Sequence, residues 1–408
     1  MTVNQASFRH AGPRELAVAL QDARHYTLAL FEALAAAGYD DAARVPRLPI
    51  VNPPLWELGH TAWFAEWFVL RGALDSRPGA ASGHSLLARG DDWFDSGTVP
   101  HAARWTLDLP PPGAVKTYCH EVLDRILDRL AHEADDDLAL YPYRLALAHE
   151  DMHGEAFLYS LQTLQSRGAP APAPAPAGAL APRAQSTAAG SAGDIAFPGG
   201  SFMRGGDQSR GFVFDNERNA ALVKVAPFAI DAGLVSTAAY LDFVHDGGYE
   251  RSQYWTEAGR AWLMTQERSA PRYWAREGED WYTVRFGRPV ALDLAEPVRH
   301  VNLYEAQAWC AWAGRRLPTE DEWEYAAGSN QPGFAWGQLW EWTASAFLPF
   351  AGFEADRYRD YSAPWFGTRQ TLRGASFATP ARLRSPHFRN FFTPERDDIF
   401  AGFRSCAF

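Results

Sequence analysis

Two histidines, His149 and His153, stand four residues apart in the stretch Ala148-His149-Glu150-Asp151-Met152-His153-Gly154-Glu155. If that stretch is helical, the four-residue step puts both imidazoles on one face, one turn apart, where they can share a metal ion. Alone the pattern is weak, because His-x-x-x-His also arises on solvated helix faces. A third histidine strengthens it. His60 sits in Leu55-Trp56-Glu57-Leu58-Gly59-His60-Thr61-Ala62-Trp63-Phe64, an otherwise apolar run in which an unpartnered imidazole would carry a desolvation cost. Three neutral imidazoles leave the whole charge on a divalent ion and leave coordination positions open. On Fe(II) those positions suit O2 activation beside a bound substrate. On zinc, three histidines and a water suit hydrolysis, so ligand type leaves both metals open. Glu155 reads either as an acceptor that orients an imidazole or as a solvated helix-surface carboxylate.

These histidines need elements to bring them together. Apolar residues recur at helical spacing over residues 13–37, 55–72, 115–133 and 141–165, and four such stretches pack as an all-α four-helix bundle. Bundles build metal sites from side chains of facing helices, and here the second and fourth stretches carry the three histidines. Residues 168–193, Ala-Pro repeats followed by Ser, Thr and Gly, predict an extended linker with no face to bury. Beyond it come short aromatic and β-branched runs broken by Gly, Pro, Asp and Asn, with helical pieces near 303–313 and 320–327. That pattern predicts an α+β half with much loop. The expected division is therefore a helical domain over 1–167, a linker over 168–193 and an α+β domain over 194–408.

The formal net charge is -11, and no Lys/Arg-rich stripe interrupts it. Such a field repels phosphate backbones, which excludes nucleic acid and anionic membrane as partners. No apolar run is long enough to span a bilayer, and the first residues lack the basic flank and apolar stretch of a secretion signal, so the expected location is cytoplasmic. Cys119, Cys310 and Cys406 are too few and too widely spaced for a disulfide framework or a paired-cysteine metal site, and are expected as free thiols.

The His60 segment, the His149-x-x-x-His153-x-Glu155 motif and the helical pattern resemble the DinB-like N-terminal domain of the ergothioneine sulfoxide synthases. The second half resembles the formylglycine-generating-enzyme/sulfatase-modifying fold, which is related to C-type lectins. The segments carrying that likeness include Gly314-Arg315-Arg316-Leu317-Pro318-Thr319-Glu320, Leu339-Trp340-Glu341-Trp342-Thr343, Leu372-Arg373-Gly374-Ala375-Ser376-Phe377 and Ala401-Gly402-Phe403-Arg404. The order of the two halves is that of the family, and the fusion is more specific than either half. The resemblance implies Fe(II) held by His60, His149 and His153. It also implies an O2-dependent reaction that forms a carbon–chalcogen bond at imidazole C2 of hercynine, Nα-trimethylated histidine. Loops of the second half are then expected to close the substrate pocket over the metal.

Several positions depart from the ergothioneine enzymes. One branch has two tyrosines three residues apart after Trp-Glu-Trp-Thr, one of them a proton donor; the positions matched to them here are Phe347 and Phe350, so that proton must be dispensed with or come from elsewhere. Asn390, Phe391 and Arg396 match residues of the family's substrate loop, whereas Phe392 replaces an acidic residue that helps bind the amino group of γ-glutamylcysteine. Met152 stands where Gln is frequent. The expected substrate contacts are Asn390, Phe391, Arg396, Phe347, Phe350 and Met152. Together with the Asn52-Pro53-Pro54-Leu55-Trp56-Glu57-Leu58-Gly59-His60 segment, these changes resemble the selenoneine synthase branch, which joins hercynine to 1-seleno-β-D-glucose. The alternative within the family is a sulfoxide synthase using cysteine or γ-glutamylcysteine.

Other classes fit less well. A formylglycine-generating enzyme binds copper through two cysteines separated by four residues, and here Cys406 is preceded at that spacing by Ala401. A DinB-type hydrolase or thiol transferase would leave the aromatic second half unexplained. A lectin-like binding module would treat all three histidines as structural.

Overall fold

The computed structural model describes residues 7–167 and 193–408. Apart from Gly193, the expected linker lies outside the described residues. In the first half the helices are α1 (Pro13–Ala36), α2 (Pro54–Ala65), α3 (Gly90–Phe94), α4 (Pro112–Leu130) and α5 (Asp137–Gln165). The second half contains, in chain order, β1 (Asp194–Phe197), β2 (Gly200–Arg204), β3 (Ala221–Val225), β4 (Phe228–Asp231), α6 (Thr237–His245), α7 (Glu257–Met264), β5 (Trp274–Glu277), β6 (Asp280–Arg285), β7 (Arg288–Ala291), α8 (Leu303–Trp312), α9 (Glu320–Gly328), β8 (Trp340–Ala346), β9 (Gln370–Gly374), β10 (Asn390–Phe392) and β11 (Ala401–Gly402).

Helices α1, α2, α4 and α5 pack on one another around a shared core. Every residue of α2 is buried, as its all-round apolar sequence requires. At its C-terminal end α2 passes into a π-helical turn, Glu66–Leu70. Helix α5 starts four residues before the 141–165 stretch. Pro142 reads as a helix-start residue, yet Asp136 caps the helix earlier, accepting from the Leu138 and Ala139 amides, and leaves Pro142 inside.

The second half is built on a four-stranded sheet in the order β10-β9-β8-β11, antiparallel except for the parallel β8–β11 pair. Smaller sheets, β1–β4, β2–β3 and β5–β6–β7, surround it. The register shifts between Trp342 and Ala346, and the chain then leaves β8 for a long connection to β9 over residues 347–369. Capping boxes start α8, between Asn302 and Glu305, and α9, between Thr319 and Glu322; two further helices, α6 and α7, are too short to stand out from the loop-like composition.

One buried apolar cluster runs through both halves. Polar ties cross the same boundary. Arg9 makes a forked ion pair with Glu217 at 2.7 and 2.9 Å, and Arg382 forks onto Asp151 of α5 at 2.8 and 2.6 Å. Gln162 of α5 donates to the Val284 carbonyl and accepts from the Phe286 amide. Cys119, Cys310 and Cys406 are all buried free thiols. No described helix is long and apolar enough to cross a membrane.

Candidate metal centre

Helices α2 and α5 bring His60, His149 and His153 together: one potential ligand atom from each lies within 4.8 Å of the others. His60 and His149 are almost wholly buried, and His153 is partly exposed toward a cavity. The His60 Nδ1–H donates to the Phe94 carbonyl at 2.8 Å. The His153 Nδ1–H donates to the Glu57 carboxylate at 2.8 Å. Each bond settles the tautomer, because the acceptor has no proton to offer, and leaves Nε2 with a free lone pair. Burial pushes the His60 and His149 imidazoles well below their ordinary values, and the neighbouring His153 adds to the effect. Neutral imidazoles are what a metal requires.

His149 is the sharpest indication that a cation fits. Both of its ring nitrogens are buried without a protein partner, a state that costs about 1–3 kcal/mol for a polar group. Its ring lies flat on Phe64, with centroids 3.6 Å apart and planes 3° apart, so it cannot turn toward another acceptor without losing that stack. A metal accepting its lone pair, and those of the other two Nε2 atoms, would remove the deficit.

Local sequence explains how α2 supplies its share. A Cβ on Gly59 would come within 2.2 Å of the Phe94 ring, so only glycine lets α3 approach closely enough to present the Phe94 carbonyl to His60. One turn before His60, Trp56 stacks on the imidazole with centroids 5.0 Å apart and planes 8° apart. Glu57 is buried as well.

The remaining residues of the α5 motif anchor the helix. Glu150 turns inward to a buried ion pair with Arg24 at 2.9 Å, and Asp151 turns outward to Arg382. Glu155 meets neither sequence expectation. It is buried between the halves, where it accepts from Trp340 at 2.8 Å, Ser376 at 2.6 Å and Thr379 at 2.7 Å. The carboxylate that orients an imidazole of the cluster is Glu57, bonded to His153, and its place in an apolar helix was its one visible signal.

His149 and His153 open onto a cavity of about 380 Å³ between the two halves. Met152, Asn390 and Phe391 line it. Phe347 and Phe350 do not: Phe347 is fully buried behind Phe391, the rings stacked 4.1 Å apart, and Phe350 packs under the Arg389 and Arg204 guanidinium groups. Arg396 is engaged with Asp398 at 2.6 and 2.8 Å and lies over the Phe392 and Tyr159 rings, which do face the cavity. Two tyrosines three residues apart, Tyr358 and Tyr361, stand in the wall instead, on the β8–β9 connection. Tyr358 lies edge-on to the His149 ring at 5.9 Å, and Tyr361 donates to the Met152 sulfur at 3.8 Å. Burial raises both phenol pKa values, so both keep their protons at neutral pH.

The fold and the site define a class: a helical half with a three-histidine cluster, closed by a second half of sulfatase-modifying type. Residues 180–338 match the sulfatase-modifying factor enzyme 1-like domain. A hercynine oxygenase of Mycolicibacterium smegmatis is 32% identical, over 95% of this chain and 97% of its own. One from Mycobacterium tuberculosis is 32% identical, over 96% of this chain and 98% of its own. A formylglycine-generating enzyme of Thermomonospora curvata is 34% identical over 36% of this chain and 52% of its own. Similarity to the hercynine oxygenases thus spans both halves and what joins them, and this chain belongs to the hercynine oxygenase family.

Proposed function

We propose that this protein is an O2-dependent enzyme that joins hercynine to a chalcogen donor at imidazole C2, with Fe(II) held by His60, His149 and His153. The supporting observation is the cluster of three imidazoles with mutually close ring nitrogens, two of them lining a cavity between the halves, in a chain similar over nearly its whole length to hercynine oxygenases. Iron bound there would supply the redox chemistry with O2. The helical half is read as a DinB-like four-helix bundle, on the packing of α1, α2, α4 and α5.

The chain's own residues then have defined work. Asn390 offers an amide to a polar edge of hercynine, and the surrounding aromatic rings face its trimethylammonium group. Phe347, buried and stacked behind Phe391, backs that wall. Tyr358 holds a phenolic proton beside His149 and is the proton donor in this reading. Tyr361, bonded to Met152, sets the position of the same loop.

For the donor, we favour an uncharged selenosugar, 1-seleno-β-D-glucose. None of the described lining residues is Lys or Arg, so the second carboxylate of γ-glutamylcysteine has no cation to meet. Asp360 and Trp365 on the wall offer a hydroxyl acceptor and a flat apolar face, which suit a sugar.

The test is metal analysis of anaerobically purified protein, followed by turnover with hercynine and O2 in competition among the selenosugar, its thio analogue, cysteine and γ-glutamylcysteine. The expected outcome is one iron per chain, hercynine-dependent O2 uptake and a selenosugar conjugate by mass. Preference for γ-glutamylcysteine or cysteine removes the donor assignment. Zinc without O2 uptake points to hydrolysis and removes the O2-dependent assignment.

A further inference from the structure

We infer that Arg104 is a positioning residue of the histidine centre, setting the charge felt by two of the three imidazoles along two separate routes. The inference rests on the reading that the three histidines hold a redox-active metal.

The first route is a stack. The Arg104 guanidinium carbon lies 3.7 Å from the centre of the Trp56 ring, and His60 is also stacked on Trp56, with centroids 5.0 Å apart. The cation therefore sits within about 9 Å of the His60 ring, with both packed on the same indole, and it lowers the proton affinity of that imidazole. The Trp56 N–H is tied to the Trp93 carbonyl at 2.6 Å, which holds the indole in this plane.

The second route is a chain of hydrogen bonds. Arg104 Nη1 donates to Asn52 Oδ1 at 2.7 Å, Asn52 Nδ2 donates to Glu57 Oε2 at 3.4 Å, and Glu57 Oε1 accepts from His153 Nδ1 at 2.8 Å. The positive end of the chain keeps Glu57 an acceptor and limits how strongly it draws the proton from His153. Both routes have the same sign: each lowers electron density on a ligand imidazole, and so favours the lower oxidation state of a metal bound there.

Nothing else in the described residues explains the cost of this arginine. It makes no ion pair; its remaining bond is a long one, 3.5 Å, from Nη2 to the Val99 carbonyl, and its Nε is buried without a partner. Burial pushes its pKa down to about 10, against a smaller pull from Glu57, which still leaves it charged at neutral pH. A guanidinium held only to anchor the loop would be expected to face a carboxylate. The Asn52, Trp56, Glu57 and His60 positions of the α2 segment are thereby joined into one device.

The experiment is an anaerobic redox titration of the iron-loaded holoenzyme, following the ferric signal by electron paramagnetic resonance, for wild type, Arg104→Met, Arg104→Lys and Asn52→Ala. Arg104→Met is expected to raise the ferric-to-ferrous ratio at fixed potential roughly tenfold, Arg104→Lys to restore it to within about threefold of wild type, and Asn52→Ala to shift it in the same direction by less. Unchanged ratios in Arg104→Met and Asn52→Ala, with iron retained, overturn the inference while leaving the proposed function standing. If Arg104→Met does not fold, the Asn52→Ala ratio decides. Wild type that binds no iron overturns both.

Discussion

Glu57 shows how much one buried carboxylate determines at the residue scale. It fixes the tautomer of His153 and frees Nε2, and it is the residue through which that imidazole's basicity is set. Glu57→Gln is expected to weaken metal affinity by about 10- to 100-fold, read by competition with a chromophoric chelator, while the folded far-ultraviolet dichroism is kept. Tyr358 belongs to the same scale. Its ring lies edge-on to His149 in the cavity wall, so, with Tyr358 as the proposed proton donor, Tyr358→Phe is expected to lower kcat by about a hundredfold with little change in the KM for hercynine. A matching rise in KM would place the phenol in binding rather than proton transfer.

Helix α5 is where local and long-range structure meet. Successive residues of its motif turn to different tasks: His149 and His153 to the centre, Glu150 to Arg24 of α1, Asp151 to Arg382, and Glu155 to Trp340, Ser376 and Thr379. The rotational setting of the helix is thus held from both sides. Breaking one side takes an opposite charge away from a buried one. Arg382→Met removes the guanidinium that Asp151, itself nearly fully buried, is paired with, and is expected to cost about 3 kcal/mol in denaturant unfolding. The exposed partner of the same arginine, Asp22, should matter far less, and Asp22→Asn is expected to cost under about 1 kcal/mol.

Across the whole molecule, the cavity exists only because the halves are docked, and the second half carries its own pH dependence. Asp215 lies buried beside the cavity loop, where it accepts from the Ser362 hydroxyl at 2.5 Å and leaves Oδ2 without a partner. Burial pushes its carboxyl up from 3.8 to about 6. Between those values the folded protein retains a proton that the unfolded chain has released, so this group's contribution to stability falls as pH rises through that window and stays low above it. Asp215→Asn removes the titration. Relative to wild type, the variant is expected to gain stability from about pH 4 upward and to level off above about pH 6 at about 3 kcal/mol, measured by urea unfolding across that range. A gain that is the same at all pH values would mean the carboxyl is not protonated in the folded protein.

The sequence by itself determined the helical half, its change to α+β structure after residue 193, and which helices carry the three histidines. Those features follow from periodicity and composition, which act along the chain. It also held the family likeness, because motif order survives without coordinates. Only the tertiary structure decided what faces the centre. Phe347 and Phe350 stand near the cavity in sequence order, yet one lies behind Phe391 and the other beneath two arginines, while Tyr358 and Tyr361, on a loop with no periodic signal, form the wall. Glu57 and Glu155 are both motif glutamates near the clustered histidines; their roles depend on which imidazole and which half each meets across 96 and 185 residues of chain. Loop placement and carboxylate partners are settled by docking two surfaces, and one-dimensional spacing does not encode that geometry.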